Sequence, residues 1–293
     1  MRPSRRHVIA LLAAAALPLT FAACGSDDDS DSGSAAATTG TTAANACEKA
    51  NLQLVEDGQL TVATDKPAYP PYFEDDDPAN GRGFESAVAF AIARQLGFAP
   101  DEVKWVIEPF NSSYAPGPKR FDFDVNQISI TPQRERAVDF SAPYYTAPQA
   151  IVALKDSDAA RATGLAQLRD AQLGVQIGTT SLDAADAQID PSEQPKVFND
   201  SNDVVRALKQ GQVDAVVVDL PTAFYLTAAQ VPEAAIVGQF EAPGGDSWGA
   251  LLTRGSSLTA CVSDAIESLR ADGTLDRLEQ RWMGEAAGAP ELQ

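Results

Sequence analysis

The side chains best suited to recognising a small polar molecule are Arg134, Asp219 and the threonine pair after Gly178. The guanidinium of Arg134 can hold a carboxylate through two parallel donors. Read alone, Arg134-Glu135-Arg136 more often describes the solvated start of a helix. Gly178-Thr179-Thr180 ends an apolar run and opens a helical pattern at Ser181. Helix N-terminal N–H groups carry partial positive charge and suit an anion, although a threonine there can equally act as a local cap. Asp219 closes the run Val213–Val218 just ahead of Pro221. It can accept from a cationic group, or simply cap the next segment. Covalent chemistry has little material. The one histidine, His7, lies beside the N-terminus, so Ser-His-Asp and Cys-His systems and His-ligated metals are absent from the body. No CxxC, GxxxxGK[ST] or GxGxxG occurs, and no metal or cofactor is expected. A net charge of −19 weighs against nucleic acid and against electrostatic binding to anionic lipid.

These residues must be positioned by alternating strands and helices. Strand-like runs fall at Leu60–Thr64, Trp105–Ile107, Phe121–Thr131, Ile151–Leu154, Leu173–Ile177 and Val213–Val218. Helical patterns fall at Glu85–Leu96, Ser181–Gln188, Asp203–Gln210, Cys261–Leu269 and Leu275–Trp282, with Gly97 and Gly211 as stops. Such alternation predicts an α/β architecture with largely parallel sheets.

The N-terminus reads as an export signal. Arg2, Arg5 and Arg6 precede the apolar run Val8–Leu17, and small residues lead to Cys24. The run is shorter than the roughly 20 residues a membrane-spanning helix needs. Residues 24–46 are Ser, Thr, Ala, Gly and Asp, with too little apolar surface to bury, and read as a disordered tether. Beyond it lie Cys47 and Cys261. Outside the cytoplasm two such cysteines are expected to pair, two buried thiols being the alternative.

Leu60-Thr61-Val62-Ala63-Thr64-Asp65, then Tyr69-Pro70-Pro71-Tyr72 and Gly83-Phe84-Glu85, resembles the opening of the bacterial extracellular solute-binding proteins of the polar amino acid family (family 3, type II periplasmic binding proteins). The stretch Ile128-Ser129-Ile130-Thr131-Pro132-Gln133-Arg134 through Ser141, with Pro143-Tyr144-Tyr145, resembles that family's central signature. Gly178-Thr179-Thr180, Val213 to Asp219, and Leu269 to Leu275 continue the likeness in order, from about Asp57 to Gly284. Each motif is weak alone; in register together they are specific.

The resemblance implies a two-lobed flytrap, each lobe a mostly parallel sheet flanked by helices. Lobe 1 would comprise 47–146 plus 243–285 and lobe 2 147–242, with crossovers near Thr146–Gln149 and Phe240–Gly245 and a flexible tail at 286–293. Residues 1–23 would be a lipoprotein signal peptide, with Cys24 lipidated on the outer face of the cell membrane. Phe21 departs from the usual residue at its position in that signal. A monomer of this kind captures a free amino acid and delivers it to an ABC-importer permease.

The likeness places Arg134 and Thr180, with Thr179, on the ligand carboxylate. Asp219, Ser129 and the backbone carbonyl of Gln127 would meet the ammonium. Tyr69 and Phe110 would wall the cleft. An inserted residue before Tyr69 and the interruption Ala115-Pro116-Gly117-Pro118 depart from the family pattern, so Tyr114 could replace Phe110. Asp65, Asn126 and Gln176 would set selectivity. Arg134 against Asp219 and Asp65 favours a cationic or polar ligand, unless Lys66 or Arg82 at the rim offsets them. Two other readings share this fold: a dehydratase acting on cyclic amino acid precursors, which needs a cleft acid that holds its proton, and an amino acid sensor. The absence of an apolar span after residue 250 weighs against a membrane-fused receptor.

Overall fold

In a computed structural model that describes residues 46–284 and 288–293, the chain builds two five-stranded sheets joined by two crossovers. The expected signal peptide, Cys24 and nearly all of the tether lie outside the described residues.

The first sheet begins at β1 (Leu60–Thr64), an apolar run with every residue buried. Helix α1 (Phe84–Gln95) follows, entered through Gly83 at φ 98°. A Cβ at Gly83 would lie 2.4 Å from the Tyr72 carbonyl oxygen, so both the backbone and the packing require glycine. Next come β2 (Val103–Ile107), the short helix α2 (Phe110–Ser113), β3 (Phe123–Asp124) and the long strand β4 (Val138–Thr146). The chain then crosses to the second sheet with β5 (Gln149–Leu154), β6 (Leu173–Gln176), the short helix α3 (Thr180–Ala184), β7 (Lys196–Phe198) and α4 (Ser201–Lys209). It continues through β8 (Ala215–Asp219), α5 (Leu220–Tyr225) and β9 (Ala234–Phe240). The return strand β10 (Ser247–Thr253) inserts into the first sheet, and α6 (Leu258–Ala271) and α7 (Thr274–Met283) pack on it.

The sheet orders are β2-β1-β3-β10-β4 and β7-β6-β8-β5-β9. Both are mixed, not mostly parallel. β1 pairs in parallel with β2 and β3, and β6 with β7 and β8, while β10 and β5 pair antiparallel with both their neighbours. The antiparallel members arise because each crossover strand enters from the opposite end of its sheet, a direction that local periodicity does not encode.

The expected strand Phe121–Thr131 reduces to Phe123–Asp124. The Asp122 carboxylate accepts from the N–H groups of Val55 and Thr61 at 2.8 and 2.7 Å where the strand begins, and Gln127 turns left-handed at φ 49° where it ends. The helix expected over Ser181–Gln188 is a short α turn that widens into a π turn at Ala185–Ile189.

Cys47 and Cys261 form a disulfide across 214 residues, fastening the start of the body to α6. The tail differs from expectation. Residues 288–293 lie along the edge strand β9: Gln239 donates to the Pro290 carbonyl at 2.7 Å, and Leu292 donates back to Gln239 at 2.8 Å. Leu292 is buried in the core of the second sheet, and a Cβ on Gly238 would meet its side chain at 2.5 Å. An edge strand with unpaired backbone groups and a glycine opposite a leucine explains why this segment is held.

Candidate functional site

A cavity of about 210 Å³ lies between the two sheets, and its wall includes every residue assigned above to ligand contact. From the first sheet's side come Asp65 and Tyr69 after β1, Phe110 at the start of α2, and Asn126, Gln127, Ser129 and Arg134 after β3. From the second come Gln176 at the end of β6, Thr179 and Thr180 at the entry to α3, and Asp219 at the end of β8. Strand ends and helix entries converge here because each parallel strand delivers its next loop to the same edge.

The cleft is shut. Tyr69 donates to Asn202 at 2.7 Å, Tyr72 and Thr222 share a hydrogen bond at 2.8 Å, and the hydroxyls of Ser129 and Thr180 meet at 3.3 Å. Arg134 spans the gap, with Nη1 donating to the Ser129 carbonyl at 2.7 Å and Nη2 to the Gly178 carbonyl at 2.8 Å. The guanidinium lies against an edge-to-face pair of rings, Tyr114 and Phe110, whose centroids are 4.8 and 5.6 Å away, and the residue is only 7 % exposed. Arg134 is therefore not solvated, as a reading of its charged neighbours suggests, but buried against an aromatic pair. Phe110 lines the cavity, whereas Tyr114 backs the arginine.

Several polar atoms on the wall are already engaged. Thr179 Oγ1 donates to the Gln176 carbonyl at 2.9 Å, and Ser201 donates to Gln176 Oε1 at 2.5 Å. Thr180 Oγ1 donates to Asp246 at 2.6 Å. Asp65 accepts from the N–H groups of Lys66 and Phe110 at 2.6 and 3.2 Å. The rim cations are spent: Lys66 pairs with Asp76 at 3.1 Å and Arg82 with Asp75 at 2.9 Å. Asn126, almost fully buried on the wall, has an amide nitrogen without a protein partner.

The model of the bacterial extracellular solute-binding proteins, family 3, matches residues 60–285. The chain belongs to that family. Among curated relatives, the L-cystine-binding protein TcyJ of Escherichia coli is 28% identical over 234 residues, 78% of this chain and 84% of that one. The arginine-binding extracellular protein ArtP of Bacillus subtilis is 26% identical over 249 residues, covering 83% and 93%. Among solved structures, an ancestral arginine-binding protein bound to arginine superposes with a TM-score of 0.63 at 32% identity, covering 77% of this chain and 98% of that one. The fold of this solute-binding protein is thus the two-lobed α/β fold of type II periplasmic binding proteins.

The acids of this family 3 protein divide by environment. Asp219 is pushed well above the usual carboxylate range by burial and then by the nearby Asp246, with Gln149 and Arg134 acting in opposition. Behind the wall, burial raises Glu85 to about 7 although Tyr144 and Gln127 donate to it. Burial likewise raises Asp124 to about 8, against a hydrogen bond from Ser113. Sequence reading missed Asp246 and Gln149. Asp246 follows Pro243-Gly244-Gly245, which reads only as a loop, and Gln149 heads an apolar strand. Neither carries a local signal.

Proposed function

We propose that this protein is a lipid-anchored, extracytoplasmic amino acid-binding protein that closes its two lobes over a polar ligand, with a preference for a cationic one, and presents it to an ABC-importer permease as a monomer. The observation that carries this is one cavity lined by a guanidinium, Arg134, and by a carboxylate from the other sheet, Asp219. A desolvated zwitterion needs one group of each sign. Arg134 and the N–H groups at Thr179 and Thr180 receive the carboxylate; Asp219, Ser129 and the Gln127 carbonyl receive the ammonium. Tyr69 and Phe110 enclose the side chain, which meets Asp65, Asn126 and Gln176. With Lys66 and Arg82 paired to other acids, Asp65 and, once an ammonium has docked on it, Asp219 outnumber Arg134, and a positively charged side chain is favoured. The names of relatives that bind arginine, histidine or cystine agree with a polar ligand.

Lobe 1 (47–146 and 243–285) and lobe 2 (147–242) move about the two crossovers, and the ligand stabilises the closed form by its contacts with both. Cys24 supplies the anchor. No covalent step is assigned. A dehydratase reading keeps one observation in its favour, the proton-holding acid Asp219, and a structural relative is described as a precursor of cyclohexadienyl dehydratase.

The test is thermal unfolding of the processed chain carrying Cys24→Ser, stripped of ligand, against all twenty amino acids. At about 100 times Kd the stabilisation is about 2.7 kcal/mol, a rise of roughly 5–10 °C for a chain of this size. A shift confined to Arg, Lys or His supports the charge count. One confined to uncharged polar amino acids keeps the function and discards the role of Asp65. No shift with any of them sinks the amino acid reading and brings the dehydratase forward.

A further inference from the structure

Asp246 lies on the second crossover, one residue before β10, with its side chain directed at the second sheet. Its Oδ2 accepts from Thr180 Oγ1 at 2.6 Å and from Gln149 Nε2 at 2.8 Å. The same nitrogen donates to Asp219 Oδ1 at 2.6 Å. One amide nitrogen therefore ties two carboxylates together, and Ser181 holds that amide in place by donating to Gln149 Oε1 at 2.7 Å. Asp246 is 1 % exposed, and its Oδ1 has no protein partner.

No ion pair among the described residues reaches either acid. Arg134, the cation facing both, donates to the Ser129 and Gly178 carbonyls and to neither acid. The other titratable groups facing Asp219 are Glu85, Tyr72 and Tyr145, none of which supplies positive charge. A carboxylate crowded against a second one through a single shared amide, with no cation in contact, keeps its proton more tightly, and here that carboxylate is Asp219.

We propose that Asp246 is a further determinant of amino-group recognition: tied to Asp219 through Gln149 in a paired-acid site, it makes Asp219 hold a proton in the ligand-free protein, a proton released when a ligand's ammonium docks on Asp219. The inference rests on the amino acid reading above. No covalent bond to the ligand forms or breaks. The ammonium keeps its three protons, and the displaced proton passes to solvent. The ammonium becomes the counter-charge that allows Asp219 to ionise beside Asp246. Asp246 also keeps the Thr180 hydroxyl as its own donor, which leaves the ligand carboxylate to Arg134 and the backbone N–H groups.

The experiment is calorimetric titration of the processed, ligand-stripped chain with L-arginine and with L-glutamine at about pH 6, above the ordinary carboxylate range. Each titration is run in two buffers of different ionisation enthalpy. The expected result is a buffer-dependent heat corresponding to release of up to one proton per ligand, and affinity that falls up to tenfold per pH unit on acidification. Asp246→Asn should bind without that heat and with a flattened pH profile, whereas Glu85→Gln should keep both. Should Asp246→Asn fail to fold, the wild-type heats alone decide. Binding without proton release, or release unchanged in Asp246→Asn, overturns the paired-acid site and leaves the amino acid function standing. Binding of neither probe, with no thermal shift from any amino acid, overturns both.

Discussion

At the residue scale, what distinguishes the site is the burial of Arg134 on its wall and of Asp246 behind it, beside a half-buried Asp219. Arg134 is buried against a pair of aromatic rings and bonded to a carbonyl on each side of the cleft, so a ligand carboxylate meets a guanidinium already fixed in place. Truncating one partner of a buried, hydrogen-bonded charge pair between protein and ligand typically costs about 2–5 kcal/mol of binding. Arg134→Ala should therefore weaken amino acid binding by roughly two orders of magnitude or more, read by calorimetry, with the fold retained by circular dichroism. Retained affinity would remove Arg134 from the site. Asp219→Asn should cost less, because an amide oxygen still accepts one hydrogen bond.

Glu85, fully buried under Gln127, gives a pH signature separate from binding. Its pKa rises from 4.5 to about 7 on folding, so over that window the unfolded chain releases a proton that the folded protein retains. The contribution is fully present below about pH 4.5 and is lost as pH rises toward 7, a total of about 3 kcal/mol. Glu85→Gln, which keeps an acceptor for Tyr144 and the Gln127 N–H, should leave the melting temperature near its original value at acid pH. At about pH 8 it should raise that temperature by roughly 5–10 °C. Equal melting curves for the two proteins at the higher pH would contradict the assignment.

At the scale of elements, the first lobe depends on long-range fastening. Helix α6 carries Cys261 and packs Val262, Ala265, Ile266 and Leu269 into the first core, while Cys47 lies 214 residues earlier in sequence. A loop that long gives the disulfide a large effect on the unfolded chain. Removal is expected to cost about 2–5 kcal/mol. Replacing both cysteines by serine should lower the melting temperature by roughly 5–15 °C, with little change in ligand affinity because neither cysteine lines the cavity. An unchanged melting temperature would show that the surrounding core holds this end without help. The paired alternative drawn from the sequence is the one the structure bears out, and its reason lies in packing: the Cα atoms sit 5.3 Å apart.

For the whole molecule, two sheets share two crossovers, and the tail adds an attachment at the far edge of the second sheet. Residues 288–293 extend the edge of β9 and insert Leu292 into the core there. Burying a leucine is worth about 1.5–3 kcal/mol. Leu292→Asp should release the segment, lowering the melting temperature by a few degrees. It should also remove hydrogen-exchange protection at the Gln239 and Leu292 amides, while ligand binding persists. Protection that survives would mean the backbone pairing with Gln239 holds the tail unaided.

The sequence alone determined the local chemistry and much of the local structure. Arg134, Thr180 and Asp219 were legible because they stand in motifs, and β1, α1, α4, α6 and α7 because apolar periodicity is a property of neighbouring residues. The directions of β5 and β10 were not legible, since strand pairing depends on partners far away in sequence. Nor was the docked tail, whose binding edge and receiving glycine, Gly238, lie about fifty residues earlier. The tertiary structure alone decided that Asp246, from a glycine-rich loop, meets Asp219 through the amide of Gln149. It also decided that Lys66 and Arg82 are spent at the rim, and that Glu85 lies beyond the reach of water. Residue type sets which charge a group can carry; desolvation and distance, fixed only when remote segments come together, set whether it does.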